Sequence, residues 1–179
     1  MVLNVLRQPS FSKRLYLKSL NRYGIDKLEY IEDASYNGNS TDLFFPSIEE
    51  LCIFQMKELK GWWRRDDIHS CNDWQPSFSK LSVLEILDCR KLTLFPACLN
   101  LEKLTLCEVN KELRIRSSDN MDEVSIKLKE VTLEDLDYLK SLPTDGLISI
   151  SIHYEIESLS ELSETFKGCV SLRSLVIGD

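Results

Sequence analysis

Several motifs that mark other classes of protein are scarce or missing in this 179-residue sequence. Only six glycines are present, and no two of them have the GxG spacing of a dinucleotide-binding loop. Aspartate and glutamate (29) outnumber lysine and arginine (22), which gives a formal net charge of −7. Because nucleic-acid phosphates bind to basic surfaces, this balance disfavours a nucleic-acid partner.

Long apolar runs are also missing. No run approaches the ~20 residues of a membrane helix, and the apolar stretch before Pro9 is too short for a signal peptide. The six cysteines, at positions 52, 71, 89, 98, 107 and 169, include no CxxC pair. Several of them lie within apolar patterns, where a reduced thiol behaves as a small hydrophobic side chain. We therefore expect a reduced, cytoplasmic protein with no disulfide framework and no membrane partner.

One short segment has the residue types of a thiol hydrolase or a metal site, because His69, Ser70, Cys71, Asn72 and Asp73 are consecutive. Catalytic groups usually converge from distant segments, and a zinc site needs a second ligand pair at a suitable spacing. The segment is more typical of a polar loop in solvent. The sequence thus predicts no catalytic, cofactor-binding or metal-binding residue, and we expect the protein not to be an enzyme.

What the sequence does contain is a repeated pattern of apolar positions. The apolar residues of 48–59 recur in 81–92 at a constant shift of 33 residues, although most other residues differ. The shared template is apolar-x-x-apolar-x-apolar-x-x-(apolar or Cys), and copies start at positions 48, 81, 101, 128, 147 and 172. A degenerate first copy is predicted at Leu15, Leu17 and Leu20, with Ser12 in the leading position.

An apolar-x-apolar triplet predicts a short β-strand, because alternate side chains of a strand point to opposite faces. One such strand cannot bury its apolar face alone, whereas strands stacked about 4.8 Å apart share a continuous core. The fold class expected from this pattern is an α/β solenoid with a curved parallel sheet on its concave face. In that fold, adjacent strands carry the aligned residues Leu51, Leu84, Leu104, Val131 and Ile150.

The segments between the copies predict irregular connections on the convex face. Residues 158–168 are predicted to form a short helix, in which Ser158 and Glu161 fit a capping box and Gly168 follows the last turn. Other connections have the polar composition of loops, namely residues 32–42, 64–77 and 116–125.

These elements predict one domain over residues 1–179. It would hold about six or seven irregular repeats, of which the last is incomplete, while residues 1–14 match the pattern least well.

Five segments carry the most specific motifs, namely FPSIEELCIFQMKELKGWW, LEILDCRKLTLFP, LEKLTL, LKSLP and CVSLRSLVIGD. They resemble the C-terminal leucine-rich repeats of plant intracellular immune receptors of the coiled-coil, nucleotide-binding, leucine-rich-repeat type. The nucleotide-binding motif and the coiled-coil heptads of that family are absent here. The resemblance therefore implies a fragment or truncated relative of a disease resistance receptor.

The resemblance also implies that the concave face binds a protein, which would be a pathogen effector, a host protein or the receptor's own domains. Because the chain is acidic, we expect a basic patch on that partner. Phe54 and Leu87 are predicted to share one column, which is either an interaction surface or an ordinary solvated sheet. The candidate binding residues are Glu50, Phe54, Trp62, Trp63, Glu85, Leu87, Lys103, Glu130, Glu134 and His153.

Three alternatives stay open at this point. One of the two tryptophans is expected to pack over the edge of its repeat instead of binding a partner. The repeats could belong to the substrate-recognition arm of a ubiquitin ligase, although residues 1–14 are too short for the F-box-like segment that such an arm needs. The chain could also be a truncated product without independent activity.

Overall fold

A computed structural model of the chain describes residues 16–33, 45–64, 78–96, 98, 100–113, 127–140, 142–153 and 166–178. The main element is a seven-stranded parallel sheet made of β1 (Ser19–Tyr23), β3 (Glu50–Phe54), β5 (Val83–Cys89), β6 (Lys103–Val109), β7 (Glu130–Leu133), β8 (Ser149–Ile152) and β9 (Ser174–Ile177). A second parallel sheet joins β2 (Tyr30–Asp33) to β4 (Gly61–Arg64). The seven strands lie side by side in chain order, so the predicted parallel sheet is confirmed.

The predicted alignment of apolar residues is also confirmed by the pairing register. One column of Cα partners runs through Leu51, Leu84, Leu104, Val131 and Ile150. A second column, two residues further along each strand, runs through Ile53, Ile86, Leu106, Leu133 and Ile152.

All ten side chains of these two columns are buried. Since a fully buried Leu or Ile contributes roughly 1.5–3 kcal/mol, the two columns form the stabilising core of the sheet.

A recurrent tight turn follows several strands and brings a further apolar pair into the core. The amides of Leu59 and Leu92 donate to the carbonyls of Met56 and Cys89 at 3.1 and 3.2 Å. All four of these side chains are fully buried. The apolar-or-Cys position of the template is therefore the start of a turn whose side chains extend the core beyond the strand.

The first strand pairs in a different register from the predicted one. Leu20 is the partner of Leu51, and Arg22 is the partner of Ile53. The amide of Leu28 donates to the carbonyl of Ile25 at 3.2 Å, which matches the turn that follows β3.

The first copy of the template therefore begins at Leu17, five residues later than predicted from Ser12. The pattern was misread because a polar residue, Arg22, occupies a core-side position and is only 8% exposed. Ser12 and Leu15 lie outside the described residues.

Two segments predicted as loops begin with strand residues. Glu32 and Asp33 end β2, and Arg64 ends β4, so the loop predictions for 32–42 and 64–77 are wrong at these positions. Alternation of apolar residues gave no signal for this second sheet, because neither of its strands contains the apolar-x-apolar triplet of the template. The rest of these two segments, and all of 116–125, lie outside the described residues.

Helical structure is sparse in the described part of the chain. A single turn of helix, α1 (Leu136–Leu139), follows β7 and begins at Asp135, whose side chain accepts from the Asp137 amide at 2.9 Å. This turn buries Leu136, the last apolar position of its template copy, and Leu139, which follows three residues later. The predicted helix at 158–168 falls outside the described residues except for 166–168, which form a turn.

Candidate protein-binding surface

The side chains between the core columns form the opposite surface of the seven-stranded sheet, which we call the open face. Strand alternation directs these side chains away from the core. Three columns make up the open face: Ser19, Glu50, Val83, Lys103, Glu130, Ser149 and Ser174; then Asn21, Cys52, Glu85, Thr105, Thr132, Ser151 and Val176; then Tyr23, Phe54, Leu87 and Cys107. Glu134, His153 and Gly178 extend the third column, because their amides donate to the preceding strands at Leu106, Leu133 and Ile152. Every residue of these columns is at least partly exposed.

One end of the third column is apolar. Phe54 and Leu87 are Cα partners on adjacent strands, which confirms the prediction that they share a column. The register adds Tyr23 on one side and Cys107 on the other. The rings of Tyr23 and Phe54 meet edge to face with centroids 5.8 Å apart. We call these four residues the apolar strip.

Sequence reasoning missed Tyr23 because the first copy of the template was placed in the wrong register. The signal that would have found it is the pair Ile25 and Leu28, which repeats the spacing of Met56 and Leu59. Counting back from that pair places Tyr23 in the column of Phe54.

Carboxylates border the apolar strip on both sides. Glu85 lies in the neighbouring column on β5, and Asp88 and Glu108 follow directly after Leu87 and Cys107. Glu134 lies beside Cys107, and its side chain accepts a hydrogen bond from the Glu108 amide.

One arginine partly neutralises this border. Arg90 contacts Glu108 at 2.5 Å and Asp88 at 3.4 Å. The Arg90 hydrogen bond, followed by its charge, lowers the pKa of Glu108.

The thiols of the open face are held in their neutral form. Burial, and then the charges of Glu134 and Glu108, raise the pKa of Cys107. Burial, and then the charge of Glu85, raise the pKa of Cys52. Since the thiolate is the nucleophilic form, neither cysteine is activated for covalent chemistry. In both cases the neighbouring carboxylates add to the effect of burial.

Three other predicted residues lie in the first column of the open face. Glu50, Lys103 and Glu130 are exposed, and Lys103 is the Cα partner of Glu130. His153 lies after the end of β8 and is exposed, with its amide donating to the Leu133 carbonyl at 2.9 Å. The structure therefore brings eight of the ten candidate residues onto one surface.

The remaining two candidates are the tryptophans. Trp62 is only 2% exposed, packs edge to face against Phe78, and donates its indole N–H to the Leu94 carbonyl at 2.8 Å. It is a core residue on β4, as the packing alternative predicted for one tryptophan. Trp63 follows in the same strand, and its side chain lies outside the described residues, as do His69 and Cys71.

Metal sites and membrane-spanning helices are two other features by which the described part of the chain could reveal a function. No group of three His, Cys, Asp or Glu residues there is arranged to hold a metal ion. No helix among the described residues has the length and apolar character to cross a membrane.

The described chain thus has a mostly parallel sheet of the α/β class, with one buried face and one open face. Comparisons with protein-family models, with curated proteins and with solved structures gave no match. The motifs, the register and the chemistry of the open face are therefore the features that bear on function.

Proposed function

We propose that this chain is a leucine-rich repeat solenoid that serves as the protein-recognition module of a plant innate immune receptor. The observation that carries the proposal is the single column through Leu51, Leu84, Leu104, Val131 and Ile150. Irregular sequence steps produce a regular stack of strands, which is the expected behaviour of repeats that share one core. The motifs that resemble those receptors supply the biological context.

Recognition is the activity that the open face supports best. Its columns mix carboxylates, hydroxyls and an apolar strip, and these side chains are accessible along seven adjacent strands. Such a surface offers shape and charge to another protein. The partner would be a pathogen effector, a host protein or another domain of the same receptor.

A cytoplasmic location is part of the proposal. Cys52, Cys89, Cys98, Cys107 and Cys169 are free thiols. Burial raises the pKa of Cys89 to about 11, so this thiol packs as an apolar group. Free, unreactive cysteines suit a reducing compartment.

The proposal is tested by affinity capture from plant leaf extract with quantitative mass spectrometry. The triple variant Glu50→Lys, Glu85→Lys, Glu134→Lys reverses three charges on the open face. We expect at least about a fivefold loss of the proteins that the natural chain captures, because complementary charges guide and orient binding.

The matched control reverses three exposed charges in turns outside the sheet, with Asp26→Lys, Glu112→Lys and Asp145→Lys. This variant has the same net charge as the triple variant and should retain the captured proteins. Circular dichroism checks that both variants are folded. Equal capture by the natural chain and the open-face variant would contradict recognition through this surface.

A further inference from the structure

We propose that the apolar strip docks a partner segment in which an aromatic or aliphatic side chain stands next to lysine or arginine. This inference rests on the proposed recognition function and specifies its site and its partner. The strip is formed by Tyr23, Phe54, Leu87 and Cys107 on four neighbouring strands.

The dimensions of the strip suit one or two inserted side chains. Its four members lie on adjacent strands, so the strip is about 14 Å long at roughly 4.8 Å per strand. Tyr23 is 60% exposed, and Phe54, Leu87 and Cys107 are each partly exposed. Beyond Cys107 the same column continues with Glu134 and His153, whose amides donate to Leu106 and Leu133, and this limits the apolar part to the first four strands of the sheet.

The charge around the strip favours a cation on the partner. Glu85 borders Leu87 on one side, Asp88 and Glu108 lie on the other side, and Glu134 follows Cys107 at the end of the strip. Arg90 is paired with two of these four carboxylates and offsets only part of their charge.

These carboxylates also act on the neighbouring thiols, because the charge of Glu85 adds to the burial that raises the pKa of Cys52, and the charges of Glu134 and Glu108 add to the burial that raises the pKa of Cys107. The charge of Lys57 also lowers the pKa of Glu108, but its effect is smaller than that of Arg90.

The apolar strip and the carboxylates around it together determine which partner chemistry is favourable. A purely apolar segment would remove water from the neighbouring carboxylates without replacing their hydrogen bonds, which is costly. A purely basic segment would leave Phe54 and Leu87 exposed and gain no apolar burial. An acidic segment would be repelled. A segment that combines both groups buries the strip and pairs with its rim.

The test begins with a random peptide library displayed on phage and selected against the full 179-residue chain. We expect the enriched peptides to carry Lys or Arg next to Phe, Tyr, Trp, Leu or Ile. Synthetic copies of these peptides are then titrated by fluorescence anisotropy. The variants Leu87→Ser and Glu85→Lys should each weaken their binding by about tenfold or more, since both act at the centre of the site.

The matched control is Glu130→Lys, which makes the same charge change on the open face but in the first column of β7. It should change the affinity by less than about threefold. Phe54→Ser provides a second test of the strip, and urea unfolding confirms that each variant is folded. Added salt should weaken binding by the natural chain more than binding by Glu85→Lys.

Two results would overturn the inference in different ways. The strip is not the docking site if the enriched peptides are acidic or lack apolar residues. The same conclusion follows if these peptides bind the Leu87→Ser and Phe54→Ser variants as tightly as they bind the natural chain. If the Glu130→Lys variant no longer bound such peptides, the open face would bind protein at a place other than the strip, and the proposed function would survive. If no peptide were affected by any of these four variants, both proposals would fail.

Discussion

At the scale of single residues, a column of left-handed backbone conformations lies beside the apolar strip. Gly24, Gln55, Asp88 and Glu108 occupy equivalent positions directly after the third column and have φ values of 60°, 53°, 50° and 51°. This conformation costs a non-glycine residue roughly 1–2 kcal/mol. On β7 the equivalent residue is Asp135, which is extended at φ −132° and begins α1 instead.

The first prediction concerns the one glycine of this column. Gly24→Ala should lower the free energy of unfolding by about 1–2 kcal/mol, because φ is +60° and no neighbouring atom is close enough to compensate the strain. Gly61→Ala is the control, since its added Cβ would meet the Tyr30 ring at an ordinary 3.6 Å without a positive φ. Urea unfolding of both variants measures the difference. Equal losses of stability would argue against backbone strain at Gly24.

At the scale of elements, the strands differ in how completely they bury their core-side residues. In the central strands the anchors are fully buried, as Leu84 and Leu104 show. At the last strand, β9, Leu175 and Ile177 remain 43% and 38% exposed although they continue the same two columns. Position in the sheet, and not residue type, therefore decides how much each anchor contributes.

The second prediction compares two leucines of one column. Leu84→Ala should cost about 2–5 kcal/mol, because it opens a cavity in a fully buried site. Leu175→Ala should cost less than about 1.5 kcal/mol, since nearly half of that side chain is already in water. Urea denaturation at constant pH gives both values. A larger loss for Leu175→Ala would mean that another part of the protein covers β9.

At the scale of the whole molecule, sheet order follows chain order. Each of the seven strands pairs only with its neighbours in this order, so stability should pass from strand to strand. The longest strands, β5 and β6, have seven residues each and lie between shorter ones. The terminal strands β1 and β9 have a described neighbour on one side only.

The third prediction is a gradient of amide hydrogen exchange across the sheet. Amides of β5 and β6 should exchange most slowly, and those of β1 and β9 most rapidly, because local opening begins where fewer neighbours hold a strand. Leu84→Ala should speed exchange in the adjacent β3 and β6 more than in the distant β9. Mass spectrometry of peptic peptides resolves these strands. Uniform acceleration in every strand would indicate one cooperative unit without local coupling.

The sequence by itself determined the main sheet and its buried side. Apolar residues at fixed offsets can be buried together only if the strands align, and for this reason the spacing alone assigned Leu51 and Ile150 to one column. The same alternation assigned Phe54 and Leu87 to a shared position on the open face. Periodicity is a local property, so it can be counted directly along the chain.

Only the tertiary structure decided the features that depend on contacts between distant segments. It buried Trp62 against Phe78 and paired β2 with β4, although the strands of that small sheet lack the apolar-x-apolar triplet of the template. It also set the register of β1, where Arg22 occupies a core-side position, and thereby added Tyr23 to the strip. Such choices are made by the packing of neighbours, and the pattern of one strand does not contain that information.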